Sequence, residues 1–233
     1  MFRCDFLTMR RDLARFVLML AALAALPLFL VGNLPWIMLY TGLLLTIMVL
    51  QLLLLRDEQR GWARFRLALP LSRAQAVIGR YAFMAAVAAT GVAIGAVLYA
   101  AVCIAIELAP AYAQTLPRAQ PFDGGAFALC AAGGFGWAFV FLGVMLPVVA
   151  RFGFQKAVRY VPALFMLALF FLPGWGTAAF GSDTLAGPLA QPAALASSPG
   201  GALAAAGAML VAACALYAAS CLIALRVYNR RDF

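Results

Sequence analysis

Residues 56–81 read RDEQRGWARFRLALPLSRAQAVIGRY, a charged island between two long apolar runs. It holds six of the chain's 17 basic residues: Arg56, Arg60, Arg64, Arg66, Arg73 and Arg80. The apolar runs on either side are long enough to cross a bilayer, which takes about 20 residues. A basic segment between two membrane spans is expected on the cytoplasmic side. The island also has internal order. From Asp57 to Leu69 the spacing predicts a short helix, with Trp62, Phe65 and Leu69 on one side and Arg60 and Arg64 on the other. Asp57 and Glu58 fall in its expected first turn, where negative charge suits the helix dipole. Pro70 ends it. Ser72-x-x-Gln75 then forms a capping-box pattern, predicting a second helix that runs directly into the following span.

The rest of the chain agrees with a membrane setting. Of its 233 residues, 67% are hydrophobic and only 11% are charged, and the mean hydropathy is +1.00. A soluble domain of this size needs far more charge to cover its surface. No period-two alternation appears, so the spans are expected to be helical and not barrel strands. Six apolar segments stand out: Phe16–Val31, Trp36–Leu55, Tyr81–Leu108, Phe127–Ala150, Val161–Ala179 and Ala202–Leu225. The expected fold is therefore all-α integral membrane, in a single domain over residues 1–233. It has six transmembrane helices, an N-terminal amphipathic interfacial helix over residues 1–15, a cytoplasmic segment over residues 56–80 and an outer loop over residues 173–201.

Charge sets the orientation. One side collects Arg3, Arg10, Arg11 and Arg15, the six island arginines, Arg151, Lys156 and Arg159, and Arg226, Arg230 and Arg231. Only Arg118 falls on the other side. This sorting predicts both termini in the cytoplasm and an even number of spans. The net charge of +9 then faces anionic lipid headgroups. A nucleic-acid partner is not expected, because the basic residues flank spans instead of forming one patch.

Before the first span, Phe2, Phe6, Met9, Leu13 and Phe16 share a narrow helical face, opposite Arg11 and Arg15. This pattern predicts a helix in the membrane interface. It reads either as an anchor or as a lever that moves with something bound beneath it. A cleaved signal peptide is not expected, since the segment before the first span is long and amphipathic. The third span contains Gly91-x-x-x-Gly95, a spacing that lets two membrane helices approach closely. The fourth carries Gly133, Gly134, Gly136 and Pro147, which permit a bend or close packing. Four of the five cysteines lie within spans and none forms a C-x-x-C pair, so they read as small apolar fillers.

Several chemistries are excluded. The chain has no histidine, which rules out histidine metal sites and Ser–His or Cys–His hydrolysis. No paired carboxylates lie within spans for acid–base work. No GxxxxGK[ST] phosphate loop occurs, so no catalytic residue, cofactor or metal is expected. Energy for uphill transport would have to come from another subunit.

The run Asp57-Glu58, Gly61-Trp62, Leu69-Pro70-Leu71-Ser72-Arg73 and Gly79-Arg80-Tyr81 resembles the permease subunits of ABC-2 type transporters. In those an acidic pair after the second span is followed by a tryptophan, an LP-[VL]-SR turn and a G-[KR]-Y start to the third span. Met9-Arg10-Arg11-Asp12-Leu13 is similar to the family's basic interfacial helix, and Arg230-Arg231-Asp232-Phe233 to its usual tail. The resemblance implies a six-span subunit of a bacterial inner-membrane exporter, working as a homo- or heterodimer on separate cytoplasmic ABC ATPase subunits. It implies that Asp57, Glu58, Arg60, Trp62, Arg64, Phe65, Arg66 and Leu69 form a coupling segment against the ATPase. The exported cargo is not specified. Three other readings compete: a secondary transporter, a substrate-binding membrane subunit of a vitamin importer, and a structural or sensory membrane protein. The first would want ionisable groups at mid-span and internal repeats, and the second would not require the ordered island.

Overall fold

A computed structural model describes residues 2–31, 35–59, 72–109, 111, 114–116, 122–152 and 199–229. Within them the regular structure is helical, with no strand. Five helices follow one another: α1 (Phe2–Val31), α2 (Ile37–Gln59), α3 (Arg73–Leu108), α4 (Gly124–Phe152) and α5 (Pro199–Asn229). Four segments are long and apolar enough to cross a membrane, namely Ile37–Arg56, Ala74–Leu108, Gly124–Val149 and Gly200–Arg226. The chain is thus an all-α, multi-pass membrane protein. Of the two remaining expected spans, Phe16–Val31 forms the second half of α1, which is not among those four. Val161–Ala179 lies outside the described residues.

Three expected boundaries move. The amphipathic start of the chain is not a separate helix: α1 continues through it without a break. Nothing between Phe2 and Ala25 interrupts helical hydrogen bonding, because neither glycine nor proline occurs there. In the same way α2 extends through Asp57 and Glu58 to Gln59, so the acidic pair continues α2 without a break after the span. The first helix-weakening residue after the span is Gly61. At the other end of the chain, α5 begins at Pro199, so it takes in the last three residues of the expected outer loop. Proline suits that place, since its missing N–H costs nothing in a first turn.

The start of α3 follows the sequence pattern. Ser72 has extended backbone angles, φ −67° and ψ 149°. Its hydroxyl accepts from the Gln75 N–H at 3.1 Å, and its own N–H donates to Gln75 Oε1 at 3.1 Å. The helix then runs unbroken to Leu108. At the other membrane face Asp123 caps α4, its Oδ1 accepting from the Gly125 N–H at 2.8 Å.

The helices pack around α2, α3 and α4. α1 lies against α2 and α3, while α5 lies against α4 and α3. Small residues set the centre. A Cβ built on Gly91 would come within 2.7 Å of the Thr41 carbonyl oxygen and 2.9 Å of Gly42 Cα. One built on Gly95 would meet the Thr41 hydroxyl and lie 2.7 Å from Met38 Cα. Gly134 of α4 approaches the same stretch of α2, 2.9 Å from the Met38 carbonyl oxygen by the same measure. These contacts pair residue 91 with 41–45 and residue 95 with 38–41, so α2 and α3 are antiparallel. Between α4 and α5, by contrast, Gly125 faces Ala202 and Gly143 faces Ser220. The offset is constant, so α4 and α5 run parallel.

Two apolar clusters fill the bundle. One holds Leu50, Phe83, Met84, Phe141 and Met145 towards the end where Arg56 and Arg151 lie. The other holds Leu28, Met38, Tyr99 and Val102 towards the opposite end. There Tyr99, Phe122 and Phe127 sit with ring centroids 5.8 to 6.0 Å apart. Trp36 and Tyr40 meet edge to face at 5.0 Å. Aromatic groups of this kind favour the membrane–water boundary.

Candidate functional site

The island is bounded by two helices that pack on each other. α2 delivers the chain at Gln59, and the capped start of α3 receives it at Ser72. The ends are held in register by the close approach at Gly91 and Gly95, further along the same pair of helices. Asp57 and Glu58 lie in the last turn of α2. Arg60, Trp62, Arg64, Phe65, Arg66 and Leu69 lie outside the described residues.

A third helix joins this end of the bundle. Arg56, in the last turn of α2, donates from Nη2 to Asp12 Oδ2 of α1, and from Nη1 to Met9 Sδ at 3.5 Å. Both side chains of the ion pair are about four-fifths buried, 23% and 20% exposed. Arg15 also approaches Asp12, at 3.8 Å, but its side chain is 80% exposed, and such a solvated pair contributes little.

A buried polar node ties α3, α4 and α5 slightly deeper in the bundle. Ser220 donates to the Gly143 carbonyl at 2.7 Å. Its single proton is then engaged, so the 2.9 Å contact with Tyr81 runs from the Tyr81 hydroxyl to Ser220 Oγ. Tyr217 donates to the Tyr81 carbonyl at 2.8 Å and stacks on Phe139 at 4.5 Å. The buried hydroxyls of Thr41 and Thr46 serve differently, bonding back to their own helix at Ile37 O and Gly42 O.

The sequence drew attention to Tyr81 as the end of the island but not to its partner. The missed signal was Ser220, a hydroxyl in an apolar span, which in lipid needs a hydrogen-bond partner. The partner of Asp12 was missed for a different reason. On a helical wheel Asp12 flanks the Met9–Leu13–Phe16 stripe, and nothing in the pattern says that Arg56 arrives opposite it.

This end of the molecule presents, among the described residues, bonds between helices. Among the described residues, no three His, Cys, Asp or Glu side chains gather in a way that would hold a metal ion. The described helices thus form a membrane bundle, cross-braced by polar contacts at the end where residues 60–71 leave and re-enter it. The family described as ABC-2 family transporter protein matches residues 1–229, and the chain belongs to it. It is therefore a membrane permease of the ABC transporter class, and its domain is not itself catalytic. No curated protein and no solved structure matches the chain.

Proposed function

We propose that this chain is the membrane-spanning subunit of an ATP-driven exporter, driven through its first cytoplasmic segment by a separate ATPase. Family membership over residues 1–229 carries this reading, and the lack of a phosphate loop in the chain complements it. Membership leaves the secondary-transporter and importer-subunit alternatives without a supporting observation. Two such permeases, identical or different, line a path in the bacterial inner membrane for a cargo whose nature is open. The whole of residues 1–233 forms one permease domain with six spans and both termini in the cytoplasm.

The packing supports this topology. Parallel helices cannot be joined by a short turn, so the parallel course of α4 and α5 favours one crossing between residues 152 and 199. That crossing is where the sequence places the span Val161–Ala179. The charge sorting supports the same count independently.

In this mechanism Trp62, Phe65 and Leu69 anchor the segment by apolar contact, while Arg60, Arg64 and Arg66 supply charged contacts with Asp57 and Glu58 beside them. Buried aromatic and arginine side chains are the usual energetic centres of an interface. Closure of the ATPases on ATP pushes the segment, and α2 and α3 carry the displacement into the membrane. Gly91 and Gly95 keep those two helices in contact as they move.

The test is purification in mild detergent. The wild-type chain is expected to bring an ABC ATPase with it. Trp62→Ala combined with Arg64→Glu is expected to insert at normal yield and lose that ATPase. Undiminished recovery of the ATPase with the double variant refutes the interface. Absence of any ATPase from the wild-type preparation refutes the function.

A further inference from the structure

The first half of α1 carries an amphipathic pattern that reads equally as an anchor or as a lever, and its contacts discriminate between the two. Among the described helices α1 packs on α2 and α3, the two that flank the cytoplasmic segment. Most of that contact is apolar, through Met9, Leu20, Ala24 and Leu28 with Leu13, Phe16 and Val17 beside them. Lipid tails are as apolar as these side chains, so such contact fixes neither the height nor the rotation of α1 strongly. The Arg56–Asp12 pair does. Both terminal nitrogens of the guanidinium rest on α1, one on the carboxylate and one on Met9 Sδ. A charge-assisted bond of this kind is directional and stronger than a neutral one. It lies in the last turn of α2, at the very start of the cytoplasmic segment and four residues before Arg60.

We propose that Asp12 and Arg56 are positioning residues that join the inner end of α1 to the inner end of α2, so that α1 moves with the cytoplasmic segment when the ATPases close. This rests on the reading that an ATPase engages that segment. Arg56 transmits the displacement and is not itself part of the ATPase contact.

The experiment exchanges the charges. The permease–ATPase complex is reconstituted in nanodiscs of phosphatidylethanolamine and phosphatidylglycerol, with the five native cysteines replaced by alanine. Spin labels are placed at two exposed inner positions, Leu7 on α1 and Leu222 on α5. The distance between them is compared without nucleotide and after trapping with ATP and vanadate. In the parent complex trapping shifts the distance distribution. Asp12→Arg and Arg56→Asp each keep the ATPase bound at parent yield but lose most of the shift. The combined exchange, which restores a pair of opposite sign, recovers at least half of it.

A shift that survives in both single variants overturns the joint, as does a combined exchange no better than the singles. A parent complex with bound ATPase but no shift on trapping overturns it too. Failure of the parent chain to hold an ATPase overturns the functional reading as well, so the two failures are told apart by the parent alone. A purely structural pair would lower thermal stability in the single variants without abolishing the shift, and that result also counts against the joint.

Discussion

Replacing Gly91 by alanine tests how closely α2 and α3 approach. The new Cβ would stand 2.7 Å from the Thr41 carbonyl oxygen, 2.9 Å from Gly42 Cα and 3.2 Å from Leu45 Cβ. Carbon atoms rest at about 3.5–4.0 Å from their neighbours. The two nearest atoms belong to the backbone, so no side-chain rotation relieves the contact. The helices must separate by roughly 0.8 Å at this level to restore an ordinary distance. Overpacking of this kind costs about 1–3 kcal/mol. Against it stands a gain of about 0.4–1 kcal/mol, because alanine restricts the unfolded chain more than glycine does. The net expectation is a loss of roughly 1–2 kcal/mol. Gly136→Ala is the internal control, since a Cβ there meets nothing within 4 Å. It should show only the gain. For a chain of this length 1 kcal/mol moves the midpoint by about 2–4 °C. Thermal unfolding in mild detergent, followed by size-exclusion chromatography of the surviving monodisperse fraction, should place Gly91→Ala below the parent and Gly136→Ala at or above it. If Gly91→Ala melts with or above the parent, or if the two variants fall together, the close approach is refuted.

Three other outcomes are expected. Ser72→Ala removes the acceptor that holds the Gln75 N–H, should cost about 1 kcal/mol, and should speed amide hydrogen exchange in the first turn of α3 while leaving its middle unchanged. At the polar node, Ser220→Ala should cost about 1–2 kcal/mol and Tyr81→Phe about 0.6 kcal/mol. The combined variant should be no worse than Ser220→Ala alone, because the Tyr81 hydroxyl bonds to Ser220; strictly additive losses in a detergent melting cycle would refute the bond. For topology, impermeant maleimide applied to sealed cells should label a cysteine introduced at Arg118 and spare one introduced at Arg231, and equal labelling of both would refute the six-span arrangement.

What the sequence made legible follows from the range of the forces involved. The capping box at Ser72 and Gln75 was readable because both partners lie within one helical turn. The spans were readable because apolarity over about 20 residues is a property of the chain itself. The Gly91–Gly95 spacing named a surface suited to close approach, yet the surface it meets, Met38 to Gly42 of α2, carries no matching pattern. Helix ends were misjudged at Asp57 and Glu58 because electrostatic preference for a first turn is worth only tenths of a kcal/mol to about 1. Continuing α2 through four ordinary helix formers, Arg56 to Gln59, outweighs it.

The contacts that brace the end of the bundle beside residues 60–71 are the least legible. Asp12 meets Arg56 across 44 residues of sequence, and Tyr81 meets Ser220 across 139. Ser220 signals that it needs a partner, but in neither pair does the local sequence name which residue that partner is. Their positions nonetheless obey one rule. A membrane bundle has little hydrophobic force to hold one helix at a fixed height on another, so directional bonds are most effective where helices must move as a unit. Both bonds lie towards the end that receives the island, one joining α1 to α2 and the other joining α5 to α3 and α4. Of the helices on either side of residues 60–71, α2 holds the bond to α1 and α3 holds one to α5. On the proposed mechanism, a push on that segment would have a polar connection to every described helix.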